Sequence, residues 1–191
     1  MPKACVLLWK SVSPASEGAC DVAGRSSVVR SDLGVPRLPR GGAELAAVTS
    51  DYIAKAAANA MWAQDRASQA LGMTITDIAP GHATLAMTVT EAMVNGHGLC
   101  HGGYIFALAD SAFAFACNSH NQRAVAQTCT ITFIAPAKLG DRLTAKCREV
   151  SRVGRSGIYD VTVTREDAEV VAEFRGLSRT VKGTLVLETG V

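Results

Sequence analysis

The sequence carries no CxxC pair, no run of basic residues and no apolar stretch approaching the roughly 18 residues that a membrane span requires. Each absence removes a class of protein. Six cysteines are scattered singly (Cys5, Cys20, Cys100, Cys117, Cys129 and Cys147), four of them inside apolar runs where Cys behaves as a small buried hydrophobe. That usage points to a reducing, cytoplasmic setting and away from a disulfide framework. Nineteen Lys and Arg against seventeen Asp and Glu leave a formal charge of only +2, and aromatics make up 5% of the chain. The electrostatic footprint of a nucleic-acid binder is therefore missing. The opening apolar stretch, Ala4 to Trp9, is cut by Lys10 before it reaches the length of a secretory signal. The apolar segment around position 110 is interrupted by Asp110 and Ser111, which marks a core helix rather than a membrane span.

What is present falls into two unequal parts. Residues 1–44 hold four of the six prolines (Pro2, Pro14, Pro36, Pro39) with scattered Gly and Ser, and show neither helical nor strand periodicity. They read as a disordered extension or an over-extended reading frame. Their arginines could suggest a targeting peptide, but Glu17, Asp21 and Asp32 spoil the acid-poor composition such peptides need. Residues 45–187 read as one domain with a single core, followed by a short tail, 188–191.

Within the domain, apolar residues recur on one helical face from Ile53 to Leu71, with Ser50 or Asp51 as an N-cap and Gly72 just beyond the end. This predicts one amphipathic lead-in helix. Strand-like alternation follows over 73–79 and 83–90 around a Pro80-Gly81 turn, which predicts a hairpin. Tyr104 to Cys117 is apolar on nearly every side and too long for a strand, so it predicts a helix buried all round. Four more strands, 124–135, 142–152, 157–165 and 169–181, are joined by short turns and predict an antiparallel meander. The sum is an α+β domain in which an antiparallel sheet wraps one long central helix.

The stretch Asn95 to Asn118 carries the chemistry. Gly102-Gly103 opens the central helix, so backbone amides lie bare at the positive end of a helix dipole, where a carbonyl turning into an oxyanion would be stabilised. A tight turn alone would also account for the glycines. Asp110 sits among Leu108, Ala109, Ala112, Phe113 and Ala114 with no cation in the adjacent turns. Burial without a partner would raise its pKa and suit it to take a proton from water or to attack directly; an Asp at a solvated gap, or one bonded to a neighbouring Ser or Asn, is the bland alternative. Eight residues separate Gly102 from Asp110, about 12 Å along a helix axis. If both act on one substrate they must come from different subunits, which predicts a site across a two-fold interface.

His97, Cys100 and His101 invite a metal reading, but the glycines between them disfavour helical presentation and no further ligand is suitably spaced. His101 suits a loop hydrogen bond, Cys100 a packed thiol, and His82 and His120 read as surface residues.

The loop Asn95-Gly96-His97, the turn His101-Gly102-Gly103 and the helix Leu108-Ala109-Asp110-Ser111-Ala112 resemble the hotdog thioesterases. The continuation Phe113-Ala114-Phe115-Ala116-Cys117-Asn118, with Thr130-Ile131-Thr132-Phe133 and Phe174-Arg175-Gly176, is similar to the hydroxyphenylacetyl-CoA thioesterases of phenylacetic acid degradation. The resemblance runs from about Asp51 to Leu187. It implies a hotdog fold, a homotetramer built as a dimer of dimers, and hydrolysis of phenylacetyl-type or related acyl-CoA thioesters with no cofactor or metal. By position, Asp110 would be the base or nucleophile, the Gly102 amide would polarise the carbonyl, and Asn95 and His101 would support carbonyl and water. Gly103 and Tyr104 would line the substrate, with Phe106 a further candidate for the acyl pocket. Arg152, Arg155 and Ser156, around Gly154, would meet the CoA phosphates. Two rivals remain: a hotdog enoyl-thioester hydratase or dehydratase using His101 with Asp110, and a non-catalytic acyl-CoA sensor.

Overall fold

The computed structural model describes residues 50–187. Both tails read from the sequence, 1–44 and 188–191, lie outside the described residues, as do residues 45–49 at the domain's start. The predicted single lead-in helix is instead two, α1 (Ser50–Trp62) and α2 (Arg66–Ala70). The break is chemical: Asp65 accepts a hydrogen bond from the Ser68 amide at 2.9 Å, an N-cap that restarts the helix where the periodicity alone runs straight on. Gly72 then ends α2 as predicted, at φ +67°, with Gly72 N donating to Gln69 O and Met73 N to Ser68 O, the two bonds of a Schellman motif.

β1 (Thr74–Ala79) and β2 (His82–Thr88) form the predicted hairpin, with Gly81 at φ +71° after Pro80. A 3₁₀ turn (Glu91–Met93) leads into the central helix α3 (Gly102–Asn118). β3 (Ala124–Phe133), β4 (Arg142–Val153), β5 (Ser156–Thr164) and β6 (Val170–Thr180) complete one antiparallel sheet in the order β1-β2-β4-β5-β6-β3. The predicted four-strand meander holds only for β4, β5 and β6. β3 pairs with β6 at the far edge. Its short connection to β4 crosses the start of α3, where Cys100 N donates to Ala137 O and Gly140 N to Val89 O, so a short link here does not make neighbours.

One helix touches all six strands, which requires the sheet to curve around it. The inward residues Leu85 and Met87 of β2, Leu143 and Ala145 of β4, and Val161 and Val163 of β5 are buried against the α3 face that carries Leu108, Ala112, Phe113 and Ala116. Phe113 sits 5.5 Å from the ring of Tyr159 and 5.9 Å from that of Phe174. A Cβ on Gly176 would come within 2.9 Å of the Phe113 ring, so β6 needs glycine there to let the helix approach.

At the C-terminal end of α3 a polar network closes the core. The buried Tyr159 hydroxyl donates to Glu149 Oε2 at 2.8 Å, His120 Nε2 meets the same oxygen at 2.8 Å, and Arg152 lies 3.7 Å away. His120 is therefore a half-buried member of this network, not the surface residue its sequence suggests. Burial alone would raise the Glu149 carboxyl, but the bonds from Tyr159 and His120 and the nearby positive charge outweigh it and hold it below its usual 4.5. A depressed folded value means stability that is present above the unfolded pKa and is lost as pH falls through the lower, folded one. Glu149→Ala, which leaves the Tyr159 hydroxyl buried without an acceptor, is expected to cost about 1–3 kcal/mol. Thermal melts should show the larger loss at pH 7 and a smaller one as the solution is acidified, where only the orphaned Tyr159 hydroxyl remains; a loss that does not shrink on acidification would contradict a charged Glu149.

Candidate active site

The loop before α3 is built around Asn95. Its Oδ1 accepts from His97 N at 2.9 Å and Leu99 N at 3.3 Å, while its backbone amide donates to Leu99 O at 2.8 Å. Gly98, at φ +73°, completes the reversal. His101 N donates to Met93 O and anchors the other end. The carboxamide oxygen is thus spent on the loop, and its NH₂ group makes no bond among the described residues, free to face a ligand.

His101 is the N-cap of α3. Its Nδ1 accepts from Gly103 N at 2.9 Å, so that nitrogen carries no proton and Nε2 is left as the ring's outward donor when neutral. This spends one of the two amides expected to be bare. The Gly102 amide, in the helix's first position, has no acceptor among the described residues. A Cβ there would lie 2.8 Å from Phe133 Cζ, so glycine lets the β3 end close over the helix start.

Two open cavities flank this point. One, of about 430 Å³, is lined by Gly102, Ile105, Phe133 and the 134–137 crossover. The other, of about 450 Å³, is lined by Leu71, Met93, His101, Gly103, Tyr104 and Ala107. Asn95 borders both. Tyr104 lines the second cavity, whereas Phe106 packs edge-on against Phe174 at 5.5 Å.

Asp110 lies half-buried two turns further along α3. Neither bland partner is used: Ser111 Oγ bonds Ser68 Oγ at 2.9 Å, and Asn118 bonds the backbone of Ala114 and Ala124. The one hydrogen bond to its carboxylate comes, among the described residues, from Cys129 Sγ of β3 at 3.7 Å. Burial raises the Asp110 pKa, and the thiol opposes this only in part. Sequence reasoning missed Cys129, because nothing in the chain signals that β3 passes over this part of α3. Cys100 is buried, with its thiol pushed up by burial and by the Asp141 charge, which disfavours the thiolate.

Within one chain Gly102 and Asp110 stay apart, about 12 Å along the axis and about 80° around it. Arg152, Arg155 and Ser156 lie at the other end of α3. Arg152 faces Glu149 and Gln122, Arg155 Nε donates to Thr180 O, and Ser156 Oγ accepts from Arg179. One subunit does not bring these groups to Gly102.

A long helix cradled by a curved six-stranded antiparallel sheet is the architecture of the hotdog thioesterases. The family model of the thioesterase superfamily matches residues 97–172. The acyl-coenzyme A thioesterase PaaI of Escherichia coli is 44% identical over 131 residues, covering 69% of this chain and 94% of that protein. The chain belongs to the thioesterase superfamily. The structure of the E. coli PaaI protein, from the phenylacetic acid degradation operon, aligns with a TM-score of 0.70 at 43% identity, over 71% of this chain and 99% of that one. A point mutant of the phenylacetic acid degradation protein PaaI from Thermus thermophilus aligns with a TM-score of 0.59 at 38% identity, over 61% and 100%. A Streptococcus mutans protein solved with acetyl CoA aligns with a TM-score of 0.57 at 28% identity, over 59% and 90%.

Proposed function

We propose that this chain hydrolyses phenylacetyl-type acyl-CoA thioesters, hydroxyphenylacetyl-CoA among them, to the free acid and CoA, in sites shared between two subunits. The observation that carries the reading is Asp110, a carboxylate with no cationic partner among the described residues and a pKa raised by burial, in a family of thioesterases. Water attacks the thioester carbonyl carbon as Asp110 takes its proton. The carbonyl oxygen becomes an oxyanion held by the Gly102 amide, with the Asn95 NH₂ and His101 Nε2–H beside it. Collapse expels the CoA thiolate, which recovers the proton from Asp110. The chain's own groups supply both proton transfer and charge stabilisation, so the step draws on no cofactor or metal.

The shared site is supported by the β3 edge. Ala124–Phe133 contains no charged residue and no proline, the usual protections of an exposed edge, and Val125 and Phe133 are about half exposed. With its two-fold beside Ile131, an isologous antiparallel pairing of two β3 edges would set Phe133, which covers Gly102, against the other subunit's Cys129, which meets Asp110. That brings a Gly102 amide toward the other subunit's Asp110. It also turns the Arg155 and Ser156 end of the sheet toward the same mouth, where spare guanidinium donors suit the CoA phosphates. Two such dimers would make the tetramer. Cys100, Cys117, Cys129 and Cys147 are free, in keeping with a reducing cytoplasm, and no helix of the described residues is long and apolar enough to cross a membrane.

The test is thiol release from phenylacetyl-, hydroxyphenylacetyl-, benzoyl- and short straight-chain acyl-CoAs, with a 2-enoyl-CoA beside them. Free CoA with the arylacetyl substrates ahead is the expected result. Hydration of the enoyl-CoA without thiol release would transfer the assignment to a hydratase, and binding without turnover to a sensor.

A further inference from the structure

We infer that Cys129 is a positioning residue for the reaction, its thiol aiming the Asp110 carboxylate at the attacking water; this rests on Asp110 being the base. The two sit on different elements, β3 and α3, and meet at 3.7 Å from Sγ to Oδ1. The hydroxyls that could compete are turned elsewhere: Ser111 is tied to Ser68 of α2, and Thr128 and Thr130, beside Cys129 in β3, are exposed. The titratable groups coupled to the Asp110 charge are Cys129 and Cys117, both thiols and neither a cation. Burial and the Asp110 charge push Cys129 up to about 11, so near neutrality it stays a protonated donor rather than a competing anion. A thiol suits the task because it is a weak donor. It fixes one carboxylate oxygen without drawing off the basicity that proton transfer from water requires, whereas a cation in its place would neutralise the base.

The experiment compares Cys129→Ala, Cys129→Val and Cys129→Ser with the parent in pH profiles of kcat and kcat/KM, with Asp110→Asn as reference. Valine keeps bulk and strand preference without a donor, and serine restores a donor. The expected result is a fall of about tenfold in kcat for Ala and Val with KM little changed. Their acid limbs should move to higher pH, costing roughly a further threefold at pH 5, and Ser should recover most of both losses. If Ser is no better than Ala, or Val matches the parent with its limb unmoved, Cys129 is packing only and the inference falls. If Asp110→Asn itself stays active, the underlying assignment of the base falls instead, and that outcome is read independently of the Cys129 series.

Discussion

Asp110→Asn is expected to slow thioester hydrolysis by about 10²–10⁴-fold in kcat, the range that a positioned general base supplies. The substitution preserves shape and leaves an oxygen for the Cys129 thiol, so fold and assembly should survive. What it removes is the ability to take a proton. Because burial raises the Asp110 pKa, the acid limb of the parent's kcat/KM should lie above the ordinary carboxylate range, activity appearing only as pH rises and the carboxylate ionises. In the Asn variant that limb should disappear along with the rate. A parent profile flat down to the usual aspartate range would deny the desolvated base, and a variant with near-parent turnover would remove Asp110 from the chemistry. Single turnover in ¹⁸O-water adds a one-way test: label found in Asp110 after the first turnover requires attack by the carboxylate and opening of the resulting anhydride at the Asp110 carbon.

Much of this was legible in the chain because short-range physics wrote it there. The unbroken apolarity of Tyr104 to Cys117 can be satisfied only by burial on all sides, and the two-residue alternation elsewhere only by a sheet with one covered face. Pro80-Gly81 and Gly72 specified their turns through backbone preference alone. The misses share a different origin. Asp65 breaks the lead-in helix through a single side-chain bond, β3 leaves the meander because its link must cross α3, and Cys129 reaches Asp110 only after that crossing. Glu149, His120 and Tyr159 likewise come together from three elements. Periodicity reports what each segment buries; it carries no record of which segment will lie beside it.

The prediction that reaches furthest concerns two inactive variants that restore one another. Gly102→Pro removes the amide proton while respecting the backbone: proline is favoured in the first position of a helix, and His101 before it is already extended at φ −63°, ψ 130°. Losing that oxyanion donor should reduce kcat by about 10²–10³-fold. Gly102→Ala is the steric control, since it keeps the N–H and only displaces the half-exposed Phe133 ring, and its loss should be much smaller. When Gly102→Pro and Asp110→Asn are co-expressed, half of randomly formed dimers pair one chain of each kind. In such a pair one site takes its amide from the Asn variant and its carboxylate from the Pro variant, and is intact, while the other site lacks both. The mixture should therefore recover about one quarter of parent activity, far above either variant alone. Activity that stays at the level of the single variants, with mixed assemblies confirmed by mass, would mean that amide and carboxylate act within one chain. The helix would then have to bring closer two groups that it holds about 12 Å apart.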